Sequence, residues 1–310
     1  MTDASSAESA IVIRDVESID EIHAIEALQA EVWGGGDLDV VPLTILVAMR
    51  EVGGILVGAF DGDTMVGFAF AFIGYENRLS AIHLDESAGS AAAAFNLPGQ
   101  PRIQPVMHSH MLAVKREYRN LDLGRKLKLA QRERALRAGF NVMTWTFDPL
   151  QCINAHLNFA KLGVVSDEYK INFYGEQSSS FLHQNGTDRL WLTWPLSSAR
   201  VNSIVNGVEP EGVVVPALTL VLVSEGDAPV MNDQVPTTER PPLAIEIPGN
   251  ISDIARRDLD LSIRWREATR SAFLKALSQG YLVTEFHRCT RNGIELGYYV
   301  LTAQRIEDLV

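Results

Sequence analysis

The stretch from residue 108 to residue 140 constrains the fold most, because its pattern changes character twice over a short distance. It opens with the apolar run Met111–Val114, which is typical of a buried strand. A short basic turn, Arg116–Gly124, leads into the helix-period segment Arg125–Ala138, which ends at Gly139. A strand that enters a helix through such a turn presents backbone N–H groups that suit a phosphate. The pattern therefore predicts an α/β fold of the mixed α+β kind, with an anion site at this turn.

Length and charge narrow the classes of partner. The 310 residues favour two domains over one. The formal net charge is −12, whereas a nucleic-acid binder or a membrane-surface protein would usually be basic, so neither partner is expected. The basic cluster around the turn stands out against this acidic background, with a solvated helix face as its ordinary alternative: Lys115, Arg116, Arg119, Arg125, Lys126 and Lys128.

Cysteine usage and the apolar runs bear on compartment and metal binding. Cys152 and Cys289 stand in no metal-ligand spacing, so neither a disulfide framework nor a metal site is expected. Residues 1–10 are polar, without an apolar signal core, and we expect a disordered tail there. The apolar run Val213–Val223 is too short to span a bilayer. We therefore expect a cytoplasmic protein.

Residues 11–197 have the pattern of one α/β domain. A strand, two helices and a hairpin precede the central stretch, and residues 76–104, rich in Ala, Ser and Gly, predict a long loop. After the central stretch the patterns predict a strand, a short helix and two closing strands: Asn141–Phe147, Asn154–Leu162, Tyr169–Tyr174 and Leu190–Trp194.

Residues 198–310 predict a smaller C-terminal α/β domain with an exposed loop at about 224–242. The segment Asp258–Arg288 resembles Asn120–Asp148, since both carry Leu-Asp-Leu, a helix, a glycine before an aromatic residue, and a strand. We interpret this as a weak internal repeat that makes the second domain a partial copy of the core unit, with chance similarity as the alternative.

The order of elements over residues 10–196 resembles the GNAT superfamily of N-acetyltransferases, and bacterial GNAT-like proteins with an extra C-terminal domain are a closer likeness. The motifs that carry the resemblance are Met111-Leu-Ala-Val, the turn Arg119-Asn-Leu-Asp-Leu-Gly124 and the segment Asn154–Gly163. The resemblance implies a GNAT fold with acetyl-CoA, or another acyl-CoA, as co-substrate. The strand would hold the pantetheine arm and the turn the pyrophosphate. The implied cofactor-binding residues are Leu112, Ala113, Val114, Arg119, Asn120, Leu121, Asp122, Leu123, Gly124, Arg125 and Asn154.

Two residues depart from the motifs of the family, and several others have alternative roles. Asp122 replaces the first glycine of the family turn, and Phe159 replaces the tyrosine that protonates the leaving thiolate in many members. Tyr174, Tyr169 and Cys152 are alternative proton donors, with Tyr174 taken as the catalytic candidate. Asn154 has a helix N-cap as its alternative role.

His108 and His110 alternate on a strand and therefore share a face. A histidine suits removal of the proton from an ammonium group before acyl transfer, because its ordinary pKa is near 6.5. The resemblance to arylalkylamine N-acetyltransferases, where a His-x-His pair precedes a similar strand, implies that role. A core or loop histidine is the alternative for each.

The predicted function is acyl-CoA-dependent N-acylation of a small amine or amino acid by direct transfer. A catalytically degenerate protein, which binds CoA or another ligand or acts as an interaction module, is the alternative supported by Asp122 and Phe159. The C-terminal domain is expected either to cover the acceptor side or to build a homodimer interface.

Overall fold

The computed structural model describes residues 11–33, 40–76, 104–175, 186–208, 217–232 and 240–309. It confirms a mixed α/β class. Contacts divide the chain into two compact units, residues 1–74 with 107–140, and residues 75–106 with 141–310. The boundary between residues 197 and 198 does not coincide with this division and stays a prediction. The predicted tail at 1–10 lies outside the described residues, as does the predicted loop at 76–104 apart from its two end residues.

The first unit holds a four-stranded sheet with the strand order β1-β2-β3-β4, in which β2 is antiparallel to both β1 and β3. Three α-helices accompany it, and among the described residues no helix of either unit is long and apolar enough to cross a membrane. The elements are β1 (Val12–Asp15), α1 (Ile19–Trp33), α2 (Leu43–Glu51), β2 (Ile55–Asp61), β3 (Thr64–Glu76), β4 (Gln104–Val114) and α3 (Leu123–Arg137).

Helix α1 begins at a reciprocal cap. The Glu21 N–H donates to Ser18 Oγ (3.1 Å), and the Ser18 N–H donates back to Glu21 Oε2 (3.3 Å). The buried face of α1 then packs against β2 and β3, and each fully buried apolar side chain in this core stabilises the fold by about 1.5–3 kcal/mol. The core includes Ile22, Ile25, Leu28, Leu56, Phe68 and Phe70.

Strands β3 and β4 approach each other closely at Gly67. A Cβ atom there would lie 3.1 Å from the Ala113 carbonyl oxygen and 3.3 Å from Val114 Cγ2, so only glycine fits without movement. The Lys115 N–H, just beyond β4, donates to the Val66 carbonyl (2.9 Å). The end of β4 is therefore held firmly where the predicted turn begins.

The second unit holds a sheet with the order β5-β7-β6-β11-β12-β10-β8-β9. All neighbouring pairs are antiparallel except β10 and β8, which are parallel. Its strands are β5 (Val142–Phe147), β6 (Val165–Lys170), β7 (Arg189–Pro195), β8 (Thr219–Glu225), β9 (Ala228–Met231), β10 (Leu243–Pro248), β11 (Leu282–Arg291) and β12 (Ile294–Thr302). Its helices are α4 (Cys152–Ala155), a π-helix (His156–Leu162), α5 (Ala199–Val205), α6 (Ile251–Arg257), α7 (Leu259–Ser278) and a 3₁₀-helix (Ile306–Leu309).

The structure corrects several predicted elements. The predicted loop at 224–242 is wrong at its start, because residues up to Met231 form the hairpin of β8 and β9. Strand β6 ends at Lys170, so Tyr174 lies in the following turn and not in a strand. The predicted helix Asn154–Leu162 is α4 followed by the π-helix, which ends at the left-handed Gly163 (φ 74°). Helices α5 and α6 were not predicted, because each is only two turns long.

Two ion pairs hold α7 against the sheet of the second unit. The Arg266 guanidinium donates two hydrogen bonds to the Asp148 carboxylate (2.7 and 2.9 Å), directly after β5. One turn later, Arg270 donates two to Asp188 (2.8 and 2.9 Å), directly before β7. The side chains of Arg266 and Asp188 are 3% and 0% exposed, so in each pair one charged partner is shielded from solvent and depends on the other for its charge.

We expect Arg266→Met to lower the free energy of unfolding by about 3–5 kcal/mol, because it leaves the buried Asp148 carboxylate without its cation. The control Arg257→Met removes an exposed pair with Asp227 (3.2 Å) and should cost less than about 1 kcal/mol. Urea unfolding measures both. Asp148→Asn should recover part of the loss in the double variant, and additive effects would contradict direct pairing.

The same pair makes stability depend on pH. Burial alone would raise the pKa of Asp148, but the charge and hydrogen bonds of Arg266, together with the Leu150 N–H and Arg189, more than offset it, and the pKa is lowered. The stabilisation is therefore complete at neutral pH, above the unfolded pKa, and is lost as the pH falls through the lowered folded value. Unfolding measured from pH 7 downwards should show a steeper loss for the wild type than for the double variant.

Candidate active site

The predicted phosphate turn consists of two helical segments joined at one left-handed residue. Residues Arg116–Leu121 form a 3₁₀-helix, and α3 begins at Leu123, two residues earlier than the sequence predicts. Asp122 between them has φ 55° and ψ 22°. Glycine adopts this conformation most easily, and aspartate tolerates it. The backbone at Asp122 thus has a conformation that glycine adopts more easily than aspartate.

The first turn of α3 presents three amide groups that precede its first helical hydrogen bond. That bond runs from the Lys126 N–H to the Asp122 carbonyl (3.1 Å), so the N–H groups of Leu123, Gly124 and Arg125 lie before it. The Asp122 side chain makes no capping hydrogen bond, and its carboxylate lies 3.6 Å from the Arg125 guanidinium. The positive end of the helix dipole is therefore left uncapped by Asp122, which suits an anion.

The other residues predicted to bind the cofactor are placed less uniformly. Asn120 and Leu121 belong to the 3₁₀-helix, whose own i→i+3 hydrogen bonds use amide groups. The Arg119 Nε–H donates to the Val114 carbonyl (3.3 Å), which ties the turn back to the end of β4. Ala113 and Val114 are buried, and Leu112 is half-buried. Backbone donors for a phosphate are thus concentrated at the start of α3.

The two histidines lie against aromatic rings of β3. The His108 ring centre is 5.4 Å from that of Phe72, and the His110 ring is 5.8 Å from Phe72 and 6.2 Å from Phe70. Burial, with smaller contributions from His110 and Lys128, lowers the pKa of His108 to about 4. Burial also lowers the pKa of His110, although this side chain is exposed overall. Both rings are therefore neutral near pH 7, and His110 is the more accessible of the two.

The alternation of β4 is interrupted after the histidines. His110 contacts Phe70, and Ala113 belongs to the same core cluster as Phe70, although an even and an odd position should face opposite sides. Conversely, Ser109 contacts α3, while Val114 lies beside Leu127 of α3 at Gly67. The change of face indicates an irregularity between residues 110 and 113, of the kind that re-aims side chains near sites.

A buried polar network behind the histidines was not predicted. The Lys128 Nζ donates to Ser109 Oγ (2.7 Å), which in turn donates to Gln131 Oε1 (2.9 Å). Lys128 is only 5% exposed, so its assignment to a solvated face is wrong, and burial lowers its pKa to about 7. Helical spacing from the buried Leu127 and Gln131 is the signal that could have placed Lys128 inward.

In the second unit, the predicted α4 residues divide into surface and core. Asn154 is exposed and lies within α4, whose N-cap residue is Gln151, so the capping alternative is wrong. Phe159 is 1% exposed and packs edge-on against Tyr299, with ring centres 5.6 Å apart. Asn158, which the sequence did not single out, is buried and accepts a hydrogen bond from Trp145 Nε1 (3.3 Å).

The three alternative proton donors differ sharply in their surroundings. Tyr169 donates its hydroxyl to Asp188 (2.8 Å), and burial raises its pKa well above the ordinary value. Burial also raises the pKa of the Cys152 thiol. Tyr174 is half exposed, with its hydroxyl 3.5 Å from Thr146 Oγ. Tyr174 is therefore the candidate with an accessible hydroxyl.

Arg189 lies beside Tyr174, with its guanidinium carbon 5.0 Å from the centre of that ring. It is 8% exposed and donates to the backbone carbonyl of Asp188 (2.8 Å), while the carboxylate of Asp188 pairs with Arg270. Asp188 and Arg189 are adjacent in sequence but have different partners, since the Asp188 carboxylate pairs with Arg270 and the Arg189 guanidinium lies over the Tyr174 ring. Arg189 therefore places a buried positive charge against the face of that ring.

Comparison with solved structures finds acetyltransferases over about 60% of the chain. Arabidopsis thaliana NAA60 in complex with acetyl-CoA is 13% identical, with a TM-score of 0.44, and the match covers 60% of this chain and 99% of that one. The ribosomal-protein-S18-alanine N-acetyltransferase from Escherichia coli is 13% identical, with a TM-score of 0.43 and coverage of 61% and 96%. An acetyltransferase of the GNAT family from Streptococcus pneumoniae is 14% identical, with a TM-score of 0.41 and coverage of 59% and 98%. No family model and no curated protein sequence matches the chain.

The histidine surroundings give a direct test by NMR titration. We expect the His108 imidazole to titrate near pH 4, because burial disfavours its charged form. Lys128→Met should raise that midpoint, since it removes a neighbouring positive charge, and Arg137→Met, at the exposed end of α3, should leave it unchanged. A His108 midpoint near the ordinary value of about 6.5 would contradict the described packing.

Proposed function

We propose that the chain is an acyl-CoA-dependent N-acyltransferase that uses acetyl-CoA and acts on a small amine or amino acid. The observation that carries the proposal is the first turn of α3, where the Asp122 side chain leaves the amides of Leu123–Arg125 uncapped. Anions are favoured there by the N–H groups and the helix dipole together. Two neutral histidines on β4, which leads into this turn, supply the second requirement of the reaction.

The donor would bind along the end of β4 and the start of α3. The pyrophosphate would accept hydrogen bonds from the amides of Leu123, Gly124 and Arg125, with Arg119 at the strand end as a nearby cation. Pairing with Arg125 offsets the charge of the Asp122 carboxylate. The backbone of Leu112–Val114 would hold the pantetheine arm, and a main-chain N–H of this segment would polarise the thioester carbonyl.

The acceptor must lose a proton before it can attack. An alkylammonium group is protonated at neutral pH, so a base has to remove one proton, and neutral His110 suits this step. The amine nitrogen then attacks the thioester carbonyl carbon, and the carbon–sulfur bond breaks to leave the amide and the CoA thiolate. A thiol of ordinary pKa near 8.5 is a good leaving group, so the thiolate needs little help from a proton donor.

A second function, ligand binding without chemistry, is favoured by Phe159. This residue occupies the position where many GNAT enzymes carry the acidic tyrosine, and it packs against Phe147 and Tyr299 in the core. The two functions differ in one measurable respect. Both predict CoA binding, and only the enzyme releases free thiol when acetyl-CoA and an amine are present together.

Donor binding is tested by placing one carboxylate at each end of α3. Gly124→Asp adds a charge beside the proposed pyrophosphate and should weaken acetyl-CoA binding about tenfold or more, measured by calorimetry. Ala138→Asp adds the same charge at the exposed C-cap of the helix and should leave binding unchanged. Equal affinities for the two variants would place the pyrophosphate elsewhere.

Catalysis is tested with the histidines. His110→Ala should lower kcat/KM for amine acetylation by about 10²–10⁴-fold without loss of CoA binding, because the ammonium proton then has no positioned acceptor. Thiol release against a panel of amines measures turnover, and His23→Ala, at an exposed site on α1, is the matched control. Normal turnover in the His108/His110 double alanine variant would remove the assigned role, and CoA binding without thiol release would favour the second function.

A further inference from the structure

A pocket of 320 Å³ in the second unit lies where α4 passes into the π-helix. His156, the first residue of the π-helix, lines it together with the hairpin of β11 and β12, which contributes Arg288, Glu295 and Leu296. A π-helical turn is rare and is frequently retained at functional sites. The pocket has no part in the function proposed above, and it is large enough for a small metabolite.

The lining places opposite charges in one small space. Arg288 and Glu295 are both exposed, and within the described part of the chain neither forms an ion pair. The Gly249 N–H donates to the Glu295 carbonyl (2.9 Å), and a Cβ on Gly249 would lie 2.7 Å from that oxygen. The close backbone contact fixes the residue that carries the carboxylate.

His156 supplies a buried polar atom. Its Nδ1 is shielded from solvent and has no hydrogen-bond partner among the described residues. Burial, followed by the nearby Lys161, Arg288 and His287, lowers the pKa of His156, so the ring is neutral at pH 7. A neutral imidazole can donate or accept according to its tautomer. An unpaired nitrogen that is buried in this way costs about 1–3 kcal/mol.

Two other chemistries fit the pocket poorly. The first is covalent chemistry on Cys152, which lines the pocket. Burial raises the pKa of this thiol, which disfavours the reactive thiolate. The described residues contain no group of three or more His, Cys, Asp or Glu side chains placed to hold a metal ion. We therefore consider a non-covalent organic ligand, for which the lining offers one cation (Arg288), one anion (Glu295) and one neutral imidazole (His156).

We propose that this pocket binds a small free α-amino acid. The carboxylate of the ligand would pair with Arg288 and its ammonium group with Glu295, because the β11–β12 register, with Arg288 opposite Gly297 and Thr290 opposite Glu295, places both charged side chains on one face of the hairpin. The imidazole of His156 would line the wall beside the bound ligand.

Calorimetry with glycine, L-alanine and L-serine tests the proposal, with acetate and methylamine as half-ligands. We expect the amino acids to bind and each half-ligand to bind at least tenfold more weakly. Arg288→Met should weaken amino-acid binding tenfold or more, Arg288→Lys should restore part of it, and Glu295→Gln should weaken amino acids but not acetate. Arg257→Met, an exposed arginine of the same unit, is the control and should bind like the wild type.

A spectroscopic readout separates this site from an acceptor site. Amino-acid binding should shift the His156 imidazole signals in NMR, and His110→Ala should leave that shift and the affinity unchanged. Failure of acetyl-CoA binding would therefore remove the proposed function without affecting this inference. The inference is overturned if no amino acid binds, if Arg288→Met binds normally, if acetate binds as tightly as glycine, or if the His156 signals do not move.

Discussion

One backbone angle, φ 55° at Asp122, determines how the first unit presents its functional groups. The left-handed residue ends the 3₁₀-helix and lets α3 start at once in a new direction. That direction points the first amides of α3 outward and its buried face back towards β4, where Lys128 meets Ser109. The uncapped start of α3 and the polar network behind the histidines are thus two results of the same turn, and a residue with a branched side chain at position 122 would strain both.

Most of the fold could be predicted because its signals are local. The β2–β3 hairpin, α3, β5 and β10 to β12 follow from apolar periodicity and turn residues, and Gly139 and Gly280 end the two long helices with positive φ. The sequence predicted that His108 and His110 share one face, but it did not predict how far the pKa of His108 is lowered. The low pKa of His108 comes first from burial, where its ring lies against Phe72 of β3, and then from His110 and from Lys128 of α3. The pairing of Asp148 with Arg266 joins residues 118 positions apart, and no local pattern encodes that.

The two segments of the proposed repeat, Asn120–Asp148 and Asp258–Arg288, have the same order of elements but differ at the residue that precedes each helix. Both segments run from a helix through a left-handed glycine into a strand, α3 to β5 and α7 to β11. In the second, Asp258 is extended (φ −152°) and its carboxylate accepts a hydrogen bond from the Leu261 N–H (2.8 Å). A side chain thus fills the position that an anion would take, so the α7 entry is a sealed helix start and the α3 entry an open one.

Helix α7 has a consequence for how this chain can be divided. Here the strands β5 and β7 each adjoin an aspartate whose counter-charge lies on α7. A gene fragment that ends near residue 197 would encode both aspartates without the two arginines that neutralise them and without the helix that carries those arginines.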